Sequence, residues 1–132
     1  MPEFIPYGRQ SIDEDDIQVV VDVLRGDFLT TGPAVDQFEG KLSEVTGSRF
    51  AVAVNSGTSA LHAMYFAAGI GPGDEIITSP LTFDATANAA LYLGATVRFV
   101  DVEPDTGNID PALVEEAITD RTKAIVTVDF AG

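Results

Sequence analysis

Cysteine is absent from this 132-residue chain, and basic residues are scarce. Without a thiol there can be no disulfide, no cysteine nucleophile and no thiolate metal site. Seven Lys and Arg residues stand against 21 Asp and Glu residues, which gives a net charge of −14. Because nucleic-acid binding needs cations that displace counterions from phosphates, this charge balance excludes nucleic acid as a partner. An anionic small ligand would therefore be held by backbone N–H groups, hydroxyls and a few cations.

The chain also lacks an apolar stretch long enough to span a membrane. Its amino end has no basic segment followed by an apolar core and a cleavage site, so we expect a cytoplasmic protein without a membrane partner. The length suits one domain, and 45% apolar residues are enough to build a core, which excludes a disordered segment. No metal site is predicted.

The amino-terminal third of the chain predicts an extended arm and two amphipathic helices. Residues 1–10 show no periodicity and contain two prolines, as expected of an arm. Ser11 and Glu14 have the spacing of a capping box, and the apolar residues that follow recur at helical spacing. A loop over residues 27–33 then separates this helix from a second amphipathic helix.

Beyond residue 50, short apolar runs alternate with helical stretches. Strands that are apolar on both faces and separated by helices predict an α/β fold, with a mostly parallel sheet covered by helices on both faces. The helix after Gly57 is apolar nearly all round, so we expect it to be deeply buried, with His62 packed inside it rather than acting as a base. The predicted strands cover residues 50–54, 75–78, 96–100 and 123–128, and the predicted helices cover residues 58–68, 83–93 and 111–118.

A candidate phosphate-binding turn lies at Asn55-Ser56-Gly57-Thr58-Ser59-Ala60. There a predicted strand feeds a small, hydroxyl-bearing turn that opens a helix, whose first N–H groups lack intrahelical partners. The alternative is that small residues only allow the chain to turn tightly. The α/β pattern of the whole chain favours the phosphate site. The chain stops directly after an apolar strand with no helix to cover it, so we expect it to be part of a longer protein.

These residues resemble the pyridoxal-phosphate-dependent sugar-nucleotide aminotransferases of the DegT/StrS group, within fold type I. The resemblance covers essentially the whole chain, as the N-terminal part of the large domain. It implies an arm, helix and loop over residues 1–34 and an incomplete cofactor-binding domain over residues 35–132. The opening and closing segments look most like the branch that makes UDP-4-amino-4,6-dideoxy-N-acetyl-β-L-altrosamine. The motifs that carry the resemblance are Leu29-Thr30-Thr31-Gly32-Pro33, Asn55-Ser56-Gly57-Thr58-Ser59-Ala60-Leu61-His62, Pro72-Gly73-Asp74-Glu75-Ile76-Ile77, Ser79-Pro80-Leu81-Thr82-Phe83-Asp84-Ala85-Thr86-Ala87-Asn88, Gly94-Ala95, Asp101, Gly107-Asn108-Ile109-Asp110 and Arg121-Thr122-Lys123-Ala124-Ile125-Val126.

The resemblance implies a pyridoxal 5'-phosphate site in the full-length enzyme. The cofactor phosphate would lie on Gly57, Thr58 and Ser59, where N–H groups, hydroxyls and the helix dipole can hold a dianion without a lysine. Phe83 would stack on the pyridine ring. A lone phenylalanine more often packs in a core, and only the Thr82-Phe83 context together with the Gly57 turn favours the stacking role.

The resemblance places the Schiff-base lysine and the pyridine-binding aspartate beyond residue 132, so we assign no catalytic residue here. Lys41 and Lys123 are expected to be solvated structural residues. Asp129 follows a predicted strand and Asp101 starts an acidic turn, and neither is expected to be the pyridine partner. We therefore expect the 132 residues alone to be inactive and not to hold the cofactor stably.

The resemblance also implies the substrates and the assembly. The acceptor would be a nucleotide-linked 4-keto-6-deoxy sugar and the amino donor glutamate, in surface polysaccharide or nonulosonic acid biosynthesis. The enzymes of this family are dimers with the active site at the interface, so a homodimer is implied. The implied sugar-nucleotide contacts are Tyr7, Asp27, Phe28, Leu29, Thr30 and Gly57.

Two other classes stay open from the sequence. One is a non-catalytic or regulatory member of the same family, or a free-standing cofactor-binding module, because the chain contains no assigned lysine. The other is an unrelated nucleotide-binding α/β domain, although neither a Gly-x-Gly-x-x-Gly nor a Gly-x-x-x-x-Gly-Lys-Ser/Thr pattern is present.

Overall fold

The computed structural model describes residues 8–130. Most of the predicted arm, including Tyr7, lies outside this range. None of the helices within it is long and apolar enough to cross a membrane. The elements of this range are α1 (Glu14–Arg25), α2 (Pro33–Thr46), α3 (Gly57–Ala67), β1 (Glu75–Thr78), α4 (Ala85–Tyr92), β2 (Thr96–Phe99), α5 (Pro111–Ala117) and β3 (Thr122–Val126).

The chain divides into two compact units, Met1–Ala53 and Val54–Gly132. The first unit holds α1 and α2, and the second holds the remaining helices and all three strands. The predicted domain boundary after residue 34 concerns the organisation of a longer protein and stays a prediction.

The second unit is built on a three-stranded parallel sheet with the order β2-β1-β3. Every residue of the central strand β1 is buried. In the sheet register, Ile77 lies between Arg98 of β2 and Ile125 of β3. Parallel neighbours require crossover connections, which α4 and α5 provide within the described residues. The predicted α/β fold with a parallel sheet is confirmed, and these three strands end within two residues of their predicted bounds.

The two faces of β1 carry separate hydrophobic clusters. Ile76 and Ile77 are fully buried, and they point to opposite faces because side chains alternate along a strand. Residues of α3 and α4 pack on the Ile76 face, and residues of α5 pack on the Ile77 face, so helices cover both sides of the central strand. The first cluster contains Tyr65, Ile70, Ile76, Ala89, Ala90 and Ala95, and the second contains Ile77, Val100, Ile109, Val114 and Ala117.

The predicted strand over residues 50–54 is wrong, because these residues have no regular secondary structure. Phe50 is 75% exposed and Val52 is 77% exposed. The backbone N–H of Ala53 donates to the Glu39 carboxylate over 2.8 Å instead of to a neighbouring strand. A strand needs a partner for its N–H and C=O groups, and within residues 8–130 this apolar run has none.

The predicted start of the first helix is also wrong, because the cap is Asp13 rather than Ser11. The Asp13 carboxylate accepts hydrogen bonds from the N–H groups of Asp15 and Asp16, both at 3.0 Å. The Asp16 side chain accepts in return from the Asp13 N–H at 3.1 Å, which completes a capping box. A charged acceptor gains more than a hydroxyl at the positive end of a helix, which favours Asp13.

The predicted deep burial of α3 is wrong for the described chain. Tyr65 is the one buried residue of this helix, whereas Met64 is 58% and Phe66 74% exposed. His62 is exposed as well, and its ring meets the edge of the Tyr92 ring at a centroid distance of 5.8 Å. The described elements cover only the α3 face that carries Leu61 and Tyr65, because the sheet and α4 pack on that side.

Because the Tyr65 hydroxyl is buried, we expect the free energy of unfolding to change with pH in the alkaline range. Burial raises the pKa of Tyr65 above its ordinary value of about 10, because the phenolate would be poorly solvated. The neutral hydroxyl therefore stabilises the fold fully below pH 10, and this contribution is lost as the pH rises through the folded-state pKa. The hydroxyl donates to the Thr86 carbonyl over 3.0 Å. Because Tyr65→Phe removes this bond, we expect it to lower the free energy of unfolding by about 1 kcal/mol at pH 8.

Urea unfolding of the wild type and of Tyr65→Phe from pH 8 to pH 11 checks this expectation. The difference between the two proteins should shrink above pH 10, because only the wild type loses the Tyr65 contribution. A constant difference over the whole range would contradict the raised pKa.

Candidate functional site

The amino terminus of α3 is capped by Ser56. The Ser56 hydroxyl accepts a hydrogen bond from the Ser59 N–H at 3.2 Å, and the Ser56 carbonyl accepts from the Ala60 N–H at 3.1 Å. The two intervening N–H groups, of Gly57 and Thr58, have no acceptor among residues 8–130. Two unsatisfied donors therefore remain at the positive end of an 11-residue helix.

Side-chain hydrogen bonds fix the turn that leads into this helix. The Ser59 hydroxyl donates to the Asn55 side-chain oxygen over 2.7 Å and lies 3.1 Å from the Ser56 hydroxyl. Asn55 and Ser56, both part of the predicted turn, thus shape the site through capping contacts that were not predicted for them. The signal was present, because Ser56 and Ser59 have the spacing of an N-cap and its N3 position. The Ser59 N–H is engaged by the cap, so the free amides are those of Gly57 and Thr58.

The residues at this helix end fit a phosphate group. A Cβ placed on Gly57 would meet no atom within 4 Å, so the backbone is open to close approach at this position. Two free N–H groups, nearby hydroxyls and a helix dipole form a neutral donor set that suits a dianion in an acidic chain. The predicted contribution of Gly57, Thr58 and Ser59 to cofactor binding stays a prediction.

Phe83 lies in the loop that follows β1, defined here as the Phe83 loop, residues 79–84. Its side chain is 75% exposed, so it does not pack in the core of the described chain. The loop itself is anchored on both sides of the ring. The Leu81 N–H donates to the Ser79 hydroxyl at 3.0 Å, and the hydroxyls of Thr82 and Thr86 lie 2.8 Å apart. An exposed aromatic ring on a fixed loop is available to stack on a flat ligand.

A buried hydrogen bond joins α3 to the helix after the Phe83 loop. The Tyr65 hydroxyl donates to the Thr86 carbonyl over 3.0 Å, and both residues are at least 94% buried. This bond lies eight residues after Gly57 and three residues after Phe83. The phosphate turn and the Phe83 loop therefore belong to one packed unit, and the prediction that they hold the same cofactor stays open to test.

The predicted sugar-nucleotide loop lines a cavity of about 520 Å³ within the first unit. Asp27, Phe28 and Leu29 contribute to its lining, whereas Thr30 does not. The neighbouring Thr31 has a φ of 48°, which is unfavourable for a β-branched residue. A Cβ on Gly32 would lie 2.8 Å from the Phe28 Cβ, so this position requires glycine. The strained backbone marks the loop as a candidate ligand site.

The other titratable candidates lie on the surface. Lys41 forms an ion pair with Glu44 along α2, and Lys123 is exposed on β3, as expected of solvated structural lysines. The Asp101 carboxylate accepts from the Val102 N–H at 2.8 Å, which is a turn interaction, and Asp129 is exposed. Within residues 8–130 there is no cluster of three or more metal-ligating side chains.

Solved structures define the class of this fold. The chain superposes on the Streptococcus pneumoniae protein Spr1654, assigned as a sugar aminotransferase, in its PMP form. The TM-score is 0.90 at 40% identity, covering 97% of this chain and 32% of that one. It also superposes on Helicobacter pylori PseC, an aminotransferase involved in pseudoaminic acid biosynthesis, with a TM-score of 0.87 at 41% identity, covering 96% and 34%. The fold is that of part of the fold type I pyridoxal-phosphate-dependent sugar aminotransferases.

Residues 10–132 match the DegT/DnrJ/EryC1/StrS aminotransferase family, and the chain belongs to it. It is 50% identical over 129 residues to the spore coat polysaccharide biosynthesis protein SpsC of Bacillus subtilis (strain 168), covering 98% of this chain and 33% of that protein. It is 45% identical over 130 residues to the UDP-4-amino-4-deoxy-L-arabinose–oxoglutarate aminotransferase of Shewanella sediminis (strain HAW-EB3), covering 98% and 34%. The chain thus spans about a third of the length of these relatives. Membership of the family excludes an unrelated nucleotide-binding domain.

Proposed function

We propose that the protein containing this chain is a pyridoxal-phosphate-dependent aminotransferase acting on nucleotide sugars. It converts a nucleotide-linked 4-keto-6-deoxy sugar to the 4-amino sugar, with glutamate as amino donor. The observation that carries the proposal is the α3 amino terminus, where two free N–H groups and an open Gly57 fit a phosphate. In a chain of an aminotransferase family, the phosphate of pyridoxal phosphate is the natural occupant.

The named relatives support the choice of substrate class. One aligned relative is named for a UDP-linked 4-amino sugar and for oxoglutarate, the keto acid that glutamate leaves after donating its amino group. Another belongs to spore coat polysaccharide biosynthesis, and PseC belongs to pseudoaminic acid biosynthesis. These names point together to amination of nucleotide sugars for surface polysaccharides or nonulosonic acids.

The residues of this chain would bind and orient the cofactor. The Gly57 and Thr58 N–H groups would hold its phosphate with the Thr58 hydroxyl, and Phe83 would stack on its ring. Ser59 would add its hydroxyl by turning it from the Asn55 side-chain oxygen toward the phosphate. When bound, pyridoxal phosphate supplies an electron sink and carries the amino group between donor and acceptor. We assign no lysine of this chain to covalent attachment, because Lys41 pairs with Glu44 and Lys123 is an exposed residue of β3. The catalytic lysine and the pyridine-binding carboxylate are proposed to lie elsewhere in the protein.

The remaining parts of the proposal concern substrate contacts and assembly. Asp27, Phe28 and Leu29, which line the cavity of the first unit, would contact the sugar nucleotide together with Tyr7, Thr30 and Gly57. We further propose a cytoplasmic homodimer in which residues 1–34 form the arm, helix and loop and residues 35–132 begin the cofactor-binding domain.

An assay of the full-length polypeptide tests this function. We expect glutamate-dependent formation of 2-oxoglutarate with UDP-linked 4-keto-6-deoxy sugars and little with 3-keto isomers, because the carbonyl must meet a fixed cofactor. The measurement is coupled detection of 2-oxoglutarate together with mass spectrometry of the amino sugar. Cofactor binding without turnover on any keto sugar would support a regulatory member of the family instead.

A further inference from the structure

A tight turn between β2 and α5 approaches the Phe83 loop. This turn, residues 103–108, is here called the Asn108 turn. The Glu103 N–H donates to the Asn108 carbonyl at 2.9 Å, and the Gly107 N–H donates to the Glu103 carbonyl at 2.9 Å. The next residue, Ile109, is 8% exposed and belongs to the hydrophobic cluster around Ile77. The turn is therefore closed by its own hydrogen bonds and rooted in the core.

Two side chains from other parts of the unit converge on Gly107. A Cβ placed there would lie 2.9 Å from Phe130 Cδ1 and 3.5 Å from Leu81 Cδ2. Gly107 also has a φ of 70°, a conformation that favours glycine. Leu81 belongs to the Phe83 loop, and Phe130 follows β3, so segments after two neighbouring strands meet on this glycine.

A hydrogen bond holds Phe130 next to the Asn108 turn. The Phe130 N–H donates to the Asn108 side-chain oxygen over 2.9 Å. The bond fixes the chain after β3 against the Asn108 turn, and with it the Phe130 ring beside Leu81. Asn108 is exposed, so its side chain does not pack in the hydrophobic core. Within residues 8–130, the bond to the Phe130 N–H is the hydrogen bond that the Asn108 side chain makes.

We propose that Asn108, Gly107 and Phe130 are positioning residues that hold the Phe83 loop in the conformation needed to present the Phe83 ring. This inference rests on the proposed function, because it assigns Phe83 the stacking role. Two other contacts hold the backbone of the loop and its link to α4, namely the bond from the Leu81 N–H to the Ser79 hydroxyl and the contact between the Thr82 and Thr86 hydroxyls. The contact at Gly107 supports the middle of the loop through Leu81. Releasing Asn108 frees Phe130, removes the support under Leu81 and lets the ring move.

The chain offers a spectroscopic test because it contains no tryptophan. Phe83→Trp introduces a single tryptophan at an exposed position of the 132-residue chain, and its indole is excited selectively at a wavelength that the three tyrosines do not absorb. In this background we expect Asn108→Ala to increase the amplitude of fast motion in the time-resolved fluorescence anisotropy of the indole. Loss of one hydrogen bond corresponds to about a fivefold larger population of the released loop. Asn108→Asp keeps an acceptor oxygen and should restore the rigid signal.

Hydrogen exchange followed by mass spectrometry gives a second measurement in the chain that retains Phe83. The peptide containing Leu81 should exchange about fivefold faster in Asn108→Ala, while peptides of α3 stay unchanged. Ile76→Val is the matched control, since it removes a buried methylene from the opposite face of the sheet without touching this contact. It should lower stability and leave the indole motion as it was.

Unchanged anisotropy and exchange in Asn108→Ala would overturn the proposal, and so would an equal increase in Ile76→Val or a failure of Asn108→Asp to restore the signal. Gly107→Ala provides an independent variant, because its methyl group would displace the Phe130 ring and should mobilise the indole as well. These measurements need no cofactor. A failure of the aminotransferase assay therefore leaves them interpretable, and a failure here leaves the assay unaffected.

Discussion

Gly57→Asp should weaken cofactor binding severely while leaving the fold intact. The new carboxylate would stand where the cofactor phosphate is proposed to lie, and like charges about 4 Å apart repel by about 4 kcal/mol at an effective dielectric constant near 20. We therefore expect at least a roughly hundredfold loss of affinity for pyridoxamine phosphate. The backbone permits the change, because Gly57 has no positive φ and a Cβ there meets no atom within 4 Å.

The same substitution should make the chain slightly more stable, which separates a binding defect from misfolding. A carboxylate in the first turn of a helix is stabilised by the dipole by about 0.3–1 kcal/mol. Gly57→Asn is the matched control, with the same shape and no charge, and should lose far less affinity. Titration of the full-length polypeptide with pyridoxamine phosphate, beside thermal unfolding of the 132-residue chain, gives both quantities. Equal affinities for Gly57→Asp and Gly57→Asn would show that the cofactor phosphate does not bind at this helix end.

Ile77→Ala should cause a large loss of stability. Ile77 is fully buried in the central strand and packs in the cluster that α5 covers. Truncation of a buried isoleucine to alanine costs about 2–5 kcal/mol, because apolar contacts are lost and a cavity remains. For a small unit with few buried residues, this loss is a large share of the total free energy of unfolding.

Ile125→Ala provides a control within the same sheet face. Ile125 lies beside Ile77 in the register of β1 and β3, yet it is 47% exposed. Because only about half of this side chain leaves water on folding, we expect a loss of roughly 1 kcal/mol. Urea unfolding curves of both variants measure the difference. Equal losses would show that another surface covers Ile125 in solution.

The second unit was largely predictable because its signals are local and agree with one another. The strand over residues 75–78 is apolar and bounded by turn residues, and the structure places β1 at Glu75–Thr78. Asp110 followed by proline opens α5 at the expected residue, with the carboxylate accepting from the Ala112 N–H at 2.8 Å. Turn and cap chemistry depends on neighbours in sequence, which a reader of the sequence can see.

Two of the errors concern properties that depend on distant parts of the molecule, whereas the misplaced cap of α1 is a local choice between Ser11 and Asp13. Residues 50–54 are apolar enough for a strand, but pairing needs a neighbour that local composition does not reveal. The apolar residues of α3 likewise predict that the helix is buried. They do not show how much of its surface the other described elements cover. For the candidate site, the motifs predict roles for Gly57 and Phe83 that stay predictions. The close approach of Phe130 to Gly107 joins positions 23 residues apart and has no local signature.

The order of the sheet has a consequence for handling the isolated chain. Within residues 8–130, β2 and β3 each pair with β1 on one side only, so both outer margins offer unpaired N–H and C=O groups. Unpaired edge strands can pair with the edge strand of another molecule, which leads to aggregation. The half-exposed apolar side chain of Ile125 lies on the edge strand β3 and would favour this association. The net charge of −14 opposes this through mutual repulsion. Salt screens that repulsion. The isolated chain at high concentration should therefore stay monomeric at low ionic strength and aggregate as salt is added.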